Sequence, residues 1–388
     1  GKRYESLADL LSQLETGITS PQPERRGQAA EILADLAECL EEPGLPAEHE
    51  GRLHRMLHGH LAAETEQHNV QWSCQGMEAL LCHWIRGARF EAAYRELTHL
   101  NEWSTLKAAP PAKTQALQDL LARMGSPLNM ATIVPLLHEP GVQLSLAQLH
   151  ALLALLGRPA AHYISACMEL SEDEAHRAQL GAALRAIGRA AVPCIRDLLA
   201  SERPEVVVQA LLLLAEIGQP GALEEVALTL GYPDLRVKRT AVGTLARLGG
   251  PEAATTLARF FPGAEPALQM DCLEAFILLN SPAVVPALGE YLQNSRSTDL
   301  DTAKVRLRVV ETIGLLGSDE GIPALHEMFK KKGFLGGRES TGMRLAAAKA
   351  LSGINSREAR EAMAIILDGE KEEEVRTVLR QFLVGRSG

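Results

Sequence analysis

A helix-stopping residue that returns at a near-constant interval restricts this chain more than any other feature. Glycine or asparagine stands at Gly125, Gly157, Gly188, Gly218, Gly249, Asn280, Gly317 and Asn355, with gaps of 32, 31, 30, 31, 31, 37 and 38 residues. Proline follows two positions later at Pro127, Pro159, Pro220, Pro251 and Pro282, and slightly further on at Pro193 and Pro323. Glycine accepts the left-handed conformation that closes a helix C-terminus, and proline suits the first turn of the next helix. Each interval therefore reads as a helix, a stop and a second helix. Self-similarity at a fixed period is the signature of a solenoid.

The stretch 233–261 shows one unit in full. Asp234 can cap a first helix on which Val237, Ala241, Leu245 and Leu248 share one face. Gly249 stops it, Pro251 opens a second helix, and Ala254, Leu257, Ala258 and Phe261 again share a face. Neither helix is long enough to stand alone in water, so the apolar faces need neighbours from adjacent units.

First helices also open on an apolar residue followed by a basic one: Val237-Lys238, Val305-Arg306, Met343-Arg344 and Val375-Arg376. A small residue (Ala241, Cys272, Ala347) follows three positions later in most copies. These residues resemble HEAT repeats, in the short form of about 30 residues also found in phycobilisome-lyase-like proteins, over residues 112–382. The resemblance implies an all-α chain, a right-handed α-α superhelix and a bacterial source. It also implies that Lys238, Arg306, Arg344 and Arg376 are structural; Asp234 and Glu372 stand one helical turn before Lys238 and Arg376 and are the expected partners.

Two regions are expected. Residues 1–110 read as an irregular helical cap, with helices over 2–14, 24–40, 47–63, 70–85 and 90–100 and a boundary at Pro110-Pro111. Residues 111–388 read as an array of about eight repeats, the last incomplete. Within the array, Ser171 and Glu174 suggest a capping box. The run Val206, Val207, Val208, Ala210, Leu211, Leu212, Leu213, Leu214 and Ala215 is apolar nearly all round, which suits burial between repeats or the lining of a partner groove. The chain opens at Gly1 without a methionine, consistent with a tag scar or a piece of a longer protein.

Composition narrows the function classes. Lysine plus arginine total 39 against 49 acidic residues, a net charge of −10, which disfavours a general nucleic-acid binder. There is no long apolar span and no signal peptide, so no membrane role and a cytoplasmic location are expected. Six scattered cysteines without paired spacing are expected as buried, reduced thiols.

The two long gaps place insertions after the second helix of adjacent repeats, at 295–302 and 330–341. Equivalent insertions emerge on one edge of a solenoid, often the binding edge. Lys330, Lys331, Lys332, Phe334 and Arg338 in the second, with Arg296 in the first, form the partner-binding candidate for an anion or an acidic peptide. Lys304, Arg306 and Arg308 are expected to add charge nearby. The loop lacks the Gly-Lys-Ser/Thr ending of a P-loop.

Histidine is the other concentration: seven of twelve lie between His49 and His99. His54 and His58 share a helical face, with His60 close by and Glu50 and Glu64 as possible acids, but a packed or surface helix is the preferred reading. HEAT-like deoxyhypusine hydroxylases hold two irons through His-Glu pairs placed regularly in their repeats. The pairs His49-Glu50, His138-Glu139 and His326-Glu327 are not at the repeat period, so that activity is rejected. A HEAT-like alkylpurine glycosylase needs a basic, aromatic-lined wall, whereas Trp72, Trp84 and Trp103 all lie in the first region.

The expectation is a non-enzymatic scaffold without cofactor or metal that binds a protein partner through a concave face and its inter-repeat loops. The alternative is a regulatory module of a larger bacterial signalling protein sensing an anionic ligand. A bilin-lyase-like or other HEAT-fold enzyme comes third.

Overall fold

A computed structural model of the chain describes residues 2–41, 47–106, 110–138, 146–295, 299–330 and 338–384. The described residues are helices, short 3-10 turns and connecting segments, with no strand among them. The chain divides into two compact units, Gly1–Leu198 and Leu199–Gly388.

The first unit holds α1 (Lys2–Ile18), α2 (Pro23–Glu38), α3 (Ala47–Ala63), α4 (Gln67–Arg86), α5 (Phe90–Thr105), α6 (Pro111–Met124), α7 (Pro127–Ile133), α8 (Leu146–Leu156), α9 (Arg158–Leu170), α10 (Glu174–Ile187) and α11 (Val192–Asp197). Helix α4 is the spine of its N-terminal part, with α2, α3, α5 and α6 packed on it. Small residues permit the approach of α2 to α4. A Cβ on Gly76 would meet the Ala34 Cα at 3.0 Å, and one on Gly27 would meet the Asn69 Oδ1 at 2.4 Å.

A buried carboxylate joins α2, α3 and α4. Glu64 accepts two hydrogen bonds from Arg26 (2.7 and 3.1 Å), two from the backbone N–H groups of Thr65 and Glu66, and one from Asn69. Burial pushes its pKa up, but these donors outweigh burial and hold the carboxyl far below the usual range. Lys113 of α6 donates to the Ala62 carbonyl, which closes the end of α3.

The second unit holds α12 (Pro204–Ile217), α14 (Leu235–Leu248), α16 (Pro266–Leu279), α18 (Leu300–Leu316), α20 (Thr341–Ile354) and α22 (Glu373–Val384) as successive first helices, each packed on the next. Between them lie the second helices α13 (Leu223–Leu228), α15 (Gly250–Phe260), α17 (Val285–Asn294), α19 (Ile322–Glu327) and α21 (Arg357–Gly369). The unit read from 233–261 is present: Val237, Ala241, Leu245, Ala254, Leu257 and Phe261 are fully buried. The described residues are thus all-α, and the second unit is a stack of repeated helix pairs.

Seven of the eight expected stops have positive φ; Gly125 does not, at −84°. Its glycine answers a different need, because a Cβ there would stand 2.6 Å from the Pro159 Cβ. The two asparagine stops lie in the left-handed α region, Asn280 at φ 46°, ψ 44° and Asn355 at φ 54°, ψ 28°. Gly249 lies at φ 76°, ψ −170°, outside what asparagine adopts comfortably. Asparagine therefore serves only where ψ falls in the left-handed α region, while glycine serves both there, as at Gly218 and Gly317, and outside it.

Three of the four basic residues that open first helices, Arg306, Arg344 and Arg376, are held within the fold, but not by the acids expected one turn before. Asp234 caps α14 and pairs with Arg236 at 2.9 Å, not with Lys238. Arg306 donates to the Leu292 carbonyl (2.8 Å), and Arg376 to the Leu367 and Glu370 carbonyls (2.9 and 2.7 Å). Arg177 and Gln269, at the equivalent position of α10 and α16, donate to Ser171 and Phe261 carbonyls. The side chains thus reach carbonyls at the end of the preceding helix, which lack an intrahelical partner. The cap of α10 is Asp173, which accepts from Ala175 and His176; Ser171 stands outside the helix, so the expected capping box does not form.

All six cysteines are free, and Cys74, Cys194 and Cys272 are buried as expected. Cys39 is exposed, however, and Cys82 and Cys167 are half-buried. Burial pushes the Cys74 and Cys272 thiols up to about 12, far from the reactive thiolate. No single described helix is long and apolar enough to cross a membrane.

Candidate functional site

The residues singled out in the long loops are only partly visible. Arg296, Lys331, Lys332 and Phe334 lie outside the described residues. Lys330 is exposed and pairs with Glu327. Arg338 donates to Glu370 and to the Gly369 carbonyl (3.4 and 3.3 Å). Arg306 adds no surface charge: it is 1 % exposed. It reaches the Ser295 hydroxyl with one arm and Glu339 with the other, both at 2.8 Å. One buried guanidinium thereby fastens the described end of the first insertion to that of the second. Glu370 repeats the device one step on, accepting from Arg338 and, at 2.5 Å, from Arg344. Lys304 and Arg308 pair with Asp301 and Glu311 on their own helix. The described basic residues of this region are thus engaged with acids and carbonyls.

A second surface emerges from the repeat register. Counting back 2, 6, 9 and 13 residues from each stop gives one stripe per first helix. The stripe carries Leu212 and Glu216 on α12, Arg236, Gly243 and Arg247 on α14, Asp271, Glu274 and Leu278 on α16, Arg308, Glu311 and Leu315 on α18, and Lys349 and Gly353 on α20. None of these residues is buried, and the leucines stand well clear: Leu212 is 42 %, Leu278 66 % and Leu315 62 % exposed. A groove of about 510 Å³ opens between α12, α14 and α16, lined by Leu212, Arg239, Gly243, Arg247, Asp271 and Leu278. Arg239 spans to Asp271 of the next repeat with two bonds of 2.8 and 3.1 Å. Charge changes sign from helix to helix, with Glu216, then Arg247, then Glu274. The apolar run 206–215 splits accordingly: Val206, Val207, Ala210, Leu211, Leu213, Leu214 and Ala215 are buried, and Leu212 faces out.

The third arrangement is in the first unit, where α3 and α5 both flank α4. His54 Nε2 lies 3.0 Å and His58 Nδ1 2.8 Å from carboxylate oxygens of Glu96, which is 3 % exposed. His99, one turn beyond Glu96, has its Nδ1 3.9 Å from the same carboxylate. The Trp84 ring stands edge-on to His54, and the Trp103 ring lies against His58, both at 4.9 Å. Of the acids named beforehand, Glu50 instead binds Trp84 Nε1 and Arg89, and Glu64 belongs to the Arg26 network. Sequence reasoning missed Glu96 because it lies 38 residues beyond His58. The spacing of Glu96 and His99 on one helix, matched to that of His54 and His58, was the available signal.

Of the three His-Glu pairs weighed as iron ligands, none belongs to a group of described ligand atoms that come together. Glu139 lies outside the described residues, while His138 packs against His176 and hydrogen-bonds Gln179. The one group of described histidines and acids whose ligand atoms come together is His54, His58 and Glu96.

No family model matches the chain, and none of the curated proteins does. Among solved structures the chain is similar to human deoxyhypusine hydroxylase, at 21 % identity and a TM-score of 0.28, over 68 % of this chain and 97 % of that one. It is also similar to Kap121p and a Kap121p mutant, both at 10 % identity, with TM-scores of 0.36 and 0.37 over 97 % of this chain. The match spans 45 % of the length of Kap121p. These are likenesses of helical fold.

Proposed function

We propose that this helical-repeat chain is a non-enzymatic scaffold that binds a protein partner through the stripe of its first helices, with the loops at 295–302 and 330–341 as a second contact. The observation that carries the reading is the stripe itself. Three leucines at register positions of three separate repeats, Leu212, Leu278 and Leu315, stand exposed, and Leu300 and Leu307 of α18 add further exposed apolar surface. Burying one leucine side chain is worth about 1.5–3 kcal/mol, so a partner that covers all three gains a sizeable part of a micromolar affinity. The alternation of charge between helices suits a partner segment that carries both signs, and gives register rather than raw affinity. We place the binding in the cytoplasm.

The test is affinity capture with the native chain and a Leu212→Lys/Leu278→Lys/Leu315→Lys variant side by side, with helical content checked by circular dichroism. A partner held by the native chain and lost by the variant supports the stripe. Equal retention by both overturns it. A Lys330→Glu/Lys331→Glu/Lys332→Glu variant tests the loop separately; Arg338 is left in place because it supports Glu370.

A further inference from the structure

Several buried or half-buried carboxylates among the described residues have guanidinium partners. Glu64 has Arg26, Glu50 has Arg89, and Glu370 has Arg344 and Arg338. Glu96 is as buried as Glu64 and Glu370, yet its ion-pair partners are the imidazoles His54, His58 and His99. A charge removed from water is ordinarily paired or bound to a metal. A guanidinium is a permanent countercharge, whereas an imidazole is not. A second observation points the same way: the Nδ1 of His99 is buried and has no hydrogen-bond partner, although it stands 3.9 Å from the Glu96 carboxylate.

We propose that His54, His58, Glu96 and His99 form a binding site for a first-row transition-metal dication such as Zn²⁺. Three imidazoles and one carboxylate are a borderline nitrogen and oxygen set, which suits Zn²⁺, Co²⁺ or Ni²⁺ and not Mg²⁺ or Ca²⁺. The ligand atoms of His54, His58 and Glu96 all lie within 4.8 Å of one another. In a tetrahedral site with bonds of about 2.0–2.1 Å, neighbouring ligand atoms stand about 3.3 Å apart. The observed 2.8–3.0 Å histidine-to-carboxylate spacings are hydrogen-bonded ones, so metal entry moves these donors slightly apart from the carboxylate and brings His99 inward. Metal entry replaces each N–H to carboxylate bond by an N to metal bond, and the displaced ring proton leaves to solvent or shifts to the other ring nitrogen. The Trp84 and Trp103 rings wall the imidazoles and limit their rotation, which keeps the donors converged. The pairing of residues four apart on α3 with residues three apart on α5 makes the metal a clip between two helices that flank α4.

The experiment is a Co²⁺ titration of the chelator-treated full chain, followed by visible d–d absorption, with competition by Zn²⁺ and a thermal-shift measurement in parallel. The expected result is one saturable equivalent, displaced by Zn²⁺, with a metal-dependent rise in melting temperature and no sulfur-to-cobalt charge-transfer band. His54→Gln and His58→Gln are expected to weaken binding by about 100-fold, and His99→Ala by about 10-fold, with His162→Ala unchanged. Glu96→Gln should abolish binding. Because Glu96 is interior and that variant can fail to fold, the decision rests on the histidine variants, whose side chains are 29 % and 32 % exposed at His54 and His58. Absence of saturation, a thiolate charge-transfer band, or native affinity in His58→Gln overturns the proposal.

Discussion

At the scale of single residues, backbone conformation sorts the repeat stops. Gly218 sits at φ 70°, ψ 42° and Gly249 at φ 76°, ψ −170°, and a Cβ at either meets nothing within 4 Å. Replacing each by asparagine therefore compares backbone preference alone. Gly218→Asn should change stability by less than about 0.5 kcal/mol, since asparagine already serves at Asn280 and Asn355 in that region. Gly249→Asn should cost about 1–3 kcal/mol, read from urea unfolding midpoints. Titration belongs to this scale too. Burial holds His138 and His150 below the usual imidazole pKa, with His176 and Arg185 acting in the same direction. Both are thus easier to protonate in the unfolded chain. Their contribution to stability is complete above the unfolded value of about 6.5 and declines as pH falls below it. Melting temperature should be flat between about pH 7 and 8 and drop through the acid side. His150→Leu should reduce that slope, because the Nε2 of His150 is buried without a partner.

At the scale of elements, the closest helix approach in the second unit shows what sequence periodicity conceals. A Cβ on Gly314 would lie 2.6 Å from the Ala350 Cα, and one on Gly353 would lie 2.8 Å from the Gly314 carbonyl oxygen. Helices α18 and α20 thus touch backbone to backbone. Gly353→Ala should force them apart at a cost of about 1–3 kcal/mol while circular dichroism stays unchanged, because the helix itself tolerates alanine better than glycine. Gly342→Ala, with open space around its Cβ, is the matched control and should be neutral or stabilising. The helix boundaries in the first unit were legible from pattern alone: 47–63 was expected and Ala47–Ala63 forms, 90–100 was expected and Phe90–Thr105 forms. The missed end at Thr105 is not marked by glycine or proline, and α1 runs through Gly17 to Ile18, so glycine there did not mark the stop. The sequence offers there only continued amphipathic pattern, and the neighbouring helices set the length.

At the scale of the whole molecule, repeat proteins are stabilised by nearest-neighbour interfaces, so a local break should stay local. Glu370 is the test. It accepts from Arg338 and Arg344 and from the backbone N–H groups of Lys371 and Glu372. Glu370→Ala leaves Arg344 buried without its acid. Amide hydrogen exchange should rise in α20, α21 and α22 and stay at native rates in α12 and α14. Exchange that rises throughout the second unit would show that it unfolds as one cooperative body.

The sequence by itself determined that the repeats of this chain are helix pairs and where their first helices stop. Stops, prolines and apolar spacing are local signals, and a period repeats them often enough to be read. The basic residue that opens a first helix, as at Arg306, Arg344 and Arg376, was recognisable as structural for the same reason. Its true partners, carbonyls of the preceding helix and acids such as Glu339 and Glu370, were not, because those contacts depend on how one helix pair docks on another. The outward stripe was latent in the register, but which of its leucines stay uncovered is a matter of packing. Glu96 depended on tertiary structure most of all. Two histidines on α3 and an acid and a histidine on α5 are ordinary residues in sequence, and only the docking of both helices on α4 turns their side chains into one cluster.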